Sequence, residues 1–76
     1  MTVHDEALAT RVRSALAMDK RISGLPIDVR VSGYDVFLKG TVENIEQADV
    51  LQFIATGIPG VRHVNLEEIA VKEKGI

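Results

Sequence analysis

The sequence predicts an α+β fold in the order αββαβ, with two helices packed on one face of a three-stranded mixed sheet. Three observations carry that expectation. Apolar residues recur at helical spacing in two stretches, Leu8 to Leu16 and Ala48 to Ile58. Between them, Ile27 to Val42 alternates apolar and polar residues and is interrupted once, by Ser32-Gly33-Tyr34-Asp35. A last apolar-rich run from Val61 to Val71 supplies a third strand.

The first helix starts at Thr2, whose hydroxyl and the carboxylate of Asp5 three residues on can form a capping box. Asp5 and Glu6 also sit where the helix dipole favours negative charge. The inner stripe is Leu8, Val12, Ala15 and Leu16, with Glu6, Thr10, Arg13 and Ala17 on the wet side, and the helix ends before Ser23-Gly24-Leu25-Pro26. In the hairpin, Ile27, Val29, Val31, Val36, Leu38 and Val42 share the dry face. Gly33 gives the turn a residue free to take positive φ. Gly40 falls on the dry face, where a missing side chain lets the second helix pack close, and Ala48 and Ala55 suit that approach.

Asn44, with Gln47 three residues later, is expected to cap the second helix, and Gly57-Ile58-Pro59-Gly60 to end it. Its inner stripe is Ala48, Leu51, Ala55 and Ile58. Along the last strand the apolar parity changes between Val64/Leu66 and Ile69/Val71, so a β-bulge near Glu67-Glu68 is needed to keep one dry face. A right-handed crossover through the second helix makes strands two and three parallel. Residues 3–71 form the expected ordered core of a single domain spanning 1–76, and 72–76 a frayed tail.

At 76 residues the chain sits near the lower limit for one self-sufficient core. It has no cysteine and no His cluster at ligand spacing, so neither disulfide nor zinc is expected to support that core, and no metal or cofactor is expected. A net charge of −2 gives no overall field attracting nucleic acid or anionic lipid. The first residues lack the basic and apolar regions of an export signal, so the chain as written is expected in the cytoplasm.

In order and spacing, Ala15-Leu16 with Asp19, Ile27-x-Val29-x-Val31, Val36-x-Leu38-x-Gly40-x-Val42, Ala55 with Ile58, and Gly60-Val61-x-x-Val64-Asn65 resemble the BON domain, a bacterial osmotic-stress and nodulation module, over nearly the whole chain. The resemblance implies a non-enzymatic module that binds phospholipid surfaces or mediates protein contacts, in a stress-response setting, often exported and often repeated. This sequence departs from that pattern in carrying one copy, no export signal and a last strand one residue longer. A periplasmic location is implied only if a leader belongs to the protein.

Three surfaces are candidates for contact. On the second helix, Val50, Phe53, Ile54 and Gly57 repeat at i, i+3, i+4 and i+7 on the outer side. That stripe either meets a partner, with a homo-oligomer the commonest case, or folds under the loop around Ile22 and Leu25 or under the tail. Lys20 and Arg21, at the end of the first helix, either contact anionic phospholipid or are the solvated cations expected there. Gly57-Ile58-Pro59-Gly60 fits the GxxG of KH-type nucleic-acid modules, but the proline removes an amide and neither variable position is basic, so a structural turn is favoured. His4 and His63 are expected to be exposed. No nucleophile elbow, phosphate loop or paired nucleophile and base occurs, so no catalytic residue is assigned and the chain is not expected to be an enzyme.

Overall fold

The computed structural model describes residues 2–72. The capping box forms as the sequence requires. The Asp5 N–H donates to Thr2 Oγ1 at 3.1 Å, and the Thr2 N–H donates to Asp5 Oδ2 at 3.3 Å. It starts α1 (Val3–Met18), followed by β1 (Asp28–Ser32), β2 (Asp35–Val42), α2 (Ile45–Thr56) and β3 (His63–Val71). The sheet order is β1-β2-β3, with the first pair antiparallel and the second parallel, so the sheet is mixed.

A two-residue turn, Gly33-Tyr34, joins β1 and β2, since Ser32 pairs with Asp35. Gly33 has φ +66° and Tyr34 is not in the positive-φ region, the pattern of a turn whose twist matches that of the strands. The helices close the dry face. Among the described residues, twelve apolar side chains form the buried cluster, including Leu8, Val12, Val36, Leu38, Val42 and Leu51. The buried arc of α1 is rotated from its expected position, because Ala9 is fully buried whereas Ala15 is only half-buried. The first turn belongs to the same arc. Asp5, 7% exposed, reaches across to the hairpin, where its Oδ1 accepts the Gly33 N–H at 3.1 Å.

Gly40 corrects one expectation. Its φ is +150°, and a Cβ built there would lie 2.5 Å from the Pro26 carbonyl oxygen and 3.0 Å from Ile27 Cδ1. The close neighbour is therefore the chain entering β1, not α2. Gly60 is required by conformation rather than space, with φ +100° and only an ordinary 3.6 Å contact to Leu8 awaiting a Cβ.

The bulge in β3 occurs one position earlier than expected. Phe37 pairs with Asn65 and Lys39 with Glu68, so Leu66 and Glu67 together oppose Leu38. Val36–Val64, Gly40–Ile69 and Val42–Val71 then all align, which keeps the apolar residues of β3 on the helix side throughout. Lys72, placed in the tail by the sequence pattern, instead extends the ladder. Its N–H donates to the Val42 carbonyl at 2.9 Å, and its Nζ lies 3.4 Å from Glu43 Oε2. The rest of the expected tail, 73–76, lies outside the described residues.

Candidate interaction surface

The α2 cap fixes which face of that helix looks outward. The Asn44 side chain accepts the Gln47 N–H at 2.9 Å, Gln47 Oε1 accepts the Glu43 N–H at 2.7 Å, and Gln47 Nε2 donates to the Arg21 carbonyl at 3.1 Å. This side-chain clasp ties the start of α2 to the segment after α1. With Leu51 and Ala55 fully buried, the opposite arc faces solvent.

Phe53 stands on that arc and is 77% exposed, so neither the Ile22–Leu25 segment nor any other described residue folds over it. The four-residue stripe divides. Phe53 and Gly57 are exposed, while Val50 and Ile54 are half-buried and pack against the core. Phe53, Ile54 and Gly57, with Asp49, Gln52 and Thr56 beside them, line a shallow depression. Gly57 has an ordinary helical φ of −78°, and its N–H is taken up by the Phe53 and Ile54 carbonyls. Apolar surface bordered by polar groups is common at contact surfaces.

The basic pair does not act as two equivalent charges. Arg21 Nη2 lies 2.7 Å from Asp19 Oδ2 and its Nε 3.0 Å from Oδ1, a two-pronged ion pair. Hydrogen bonds from the Arg21 side chain, and then from its backbone N–H, hold the Asp19 carboxyl below its usual range, and the same side-chain bond raises Arg21. Asp19 also ends α1 as its C-cap, and its carbonyl accepts the Ile22 and Ser23 amides. Lys20 is exposed and forms no ion pair with a described residue.

The loop with GxxG spacing is closed on itself. The Ile58 N–H donates to the Ala55 carbonyl and the Val61 N–H to the Ile58 carbonyl, and Pro59 has no N–H. With the Gly57 amide also engaged, the loop lacks the row of outward amides that would clamp a nucleic-acid backbone.

One constellation was not legible in the sequence. His4 from α1, Tyr34 from the hairpin turn and Arg62 before β3 meet at one pole. The His4 and Tyr34 rings are edge-on at 5.1 Å, and the Arg62 guanidinium lies 5.4 Å from the Tyr34 ring centre. The Arg62 N–H donates to the Tyr34 carbonyl at 2.8 Å, which fixes this meeting. Three separate elements supply these residues, so no local spacing signals them. On the open face of the sheet, Phe37 has Arg30 and Asn65 as register partners, and Lys39 has Asp28 and Glu68. Opposite charges thus flank Lys39 on both sides.

Among the described residues, no group of three His, Asp or Glu side chains is placed to hold a metal ion. The family model described as "BON domain" matches residues 4–73 of the chain. No curated protein matches the sequence.

Proposed function

Because the chain belongs to the BON domain family, a family of non-catalytic modules that bind phospholipid or protein, we propose that it is a protein-contact module that self-associates through the outer arc of α2. The exposure of Phe53 carries this reading. A phenylalanine left almost wholly in water costs about 1.5–3 kcal/mol relative to its burial, and a second copy can recover that amount. The neighbouring half-buried Val50 and Ile54 extend the apolar surface toward the core, so a docked surface meets a firm base rather than an isolated ring. Homodimers are the commonest closed assemblies, and Asp49, Gln52 and Thr56 border the patch with polar groups.

Peripheral phospholipid binding through Lys20 and Arg21 is the alternative the family offers. It has less support, because Asp19 already neutralises Arg21 and a single lysine contributes only about 1 kcal/mol near an anionic surface.

Light-scattering mass measured during size exclusion over a concentration series tests the proposal. The expected result is a mass above that of the monomer for the native chain and a folded monomer for Phe53→Glu. A monomeric native chain at every concentration would overturn self-association. Loss of anionic-vesicle binding on replacing both Lys20 and Arg21 by Glu would then favour the lipid alternative.

A further inference from the structure

Ile45 opens α2 and is 60% exposed, a second large apolar side chain on the helix that carries Phe53. Ile45, Asp49, Phe53 and Gly57 follow one another at intervals of four, so they form one row along its outer side. Asp49 is the midpoint between the two apolar side chains, about 6 Å along the helix axis from each. It is exposed, lines the same depression as Phe53, and among the described residues forms no ion pair. The helix holds a second acid, Glu46, and no Lys or Arg.

Given the self-association proposed above, on which this step rests, symmetry restricts the contact. In an antiparallel pair of helices a two-fold axis sets each residue opposite the position equally far beyond the centre. Ile45 and Phe53 therefore cover one another only if the axis passes at Asp49. Centred on Phe53, the axis would set Ile45 opposite Val61, past the helix end at Thr56. A parallel pair would also place Asp49 on its own copy, but it brings helix ends of like sign together.

Rows with this four-residue spacing lie along one another when two helices cross at about 50°. We infer that two copies pair through antiparallel α2 helices, Ile45 of each against Phe53 of the other, with the two Asp49 carboxylates facing across the axis. Two like charges brought together oppose the contact, so Asp49 limits how tightly the copies hold one another. The apolar row supplies the attraction and its central acid sets the strength.

The sequence has no cysteine, so single cysteines report this register directly. At the usual separation of packed helices Asp49→Cys comes within disulfide reach of its counterpart, while Thr56→Cys lies roughly 20 Å from its own. Under mild oxidation of the full chain, Asp49→Cys is expected to give a covalent dimer on non-reducing gels and Thr56→Cys to stay monomeric there. In sedimentation equilibrium, Asp49→Asn is expected to lower the dimer dissociation constant about tenfold and Ile45→Ala to raise it about tenfold. A native chain that is monomeric at every concentration would overturn self-association and the register with it. A dimeric native chain in which Asp49→Cys fails to cross-link, Thr56→Cys cross-links, or the affinity ignores Asp49→Asn or Ile45→Ala would overturn the register alone.

Discussion

Asp5 does two jobs with one carboxylate, and only one of them is visible locally. Its spacing from Thr2 announces a helix start, because a capping box is a property of four consecutive residues. Its second bond, from Oδ1 to the Gly33 N–H, joins the α1 start to the hairpin turn and depends on how the two elements dock. Asp5→Ala is expected to cost about 2 kcal/mol in urea denaturation, because it removes a cap bond and leaves the Gly33 amide without its acceptor. Thr2→Ala, which removes only the cap, is expected to cost about 1 kcal/mol. Equal losses for the two variants would mean that the bond to the turn contributes nothing. Gly40 teaches the same lesson. A glycine on a dry face signals a close approach, but a single position cannot say which segment approaches, and here it is Pro26-Ile27.

At the scale of elements, periodicity carried most of the information. Both helices, both turns flanking the hairpin strands and the need for a bulge in β3 follow from the spacing of apolar residues, because a two-residue period tolerates no unexplained change of parity. The bulge position was off by one, since Leu66-Glu67 and Glu67-Glu68 restore parity equally well and only the pairing with β2 distinguishes them. As an outer strand of the sheet, β3 leaves one edge unpaired, and Glu67 and Glu68 are both exposed on it. Charged residues on such an edge oppose strand-to-strand pairing between copies. Replacing both with Val in a Phe53→Glu background, where the α2 surface is disabled, is expected to produce new high-mass species in size exclusion. If that triple variant stays monomeric, the glutamates do not protect the edge.

For the whole molecule, the fold was legible and the partner was not. The core follows from a pattern contained within one chain, whereas an outward Phe53 looks the same in the sequence whether it meets a loop, a second copy or nothing. The structure removes the first of these possibilities. Size adds a thermodynamic consequence, because a domain this small buries only about 60% of its unfolded surface and retains a modest net stability. Any association of the native state then forms a large share of the total, and it enters by mass action. If copies associate through Phe53, the melting temperature of the native chain should rise by several degrees for each tenfold increase in concentration, since about 1 kcal/mol moves the midpoint of a domain this size by roughly 4–8 °C. Phe53→Glu should melt at one temperature at every concentration, at or below the lowest native value. A native chain whose midpoint is equally indifferent to concentration would separate Phe53 from stability and leave its exposure to be explained by a different protein as partner.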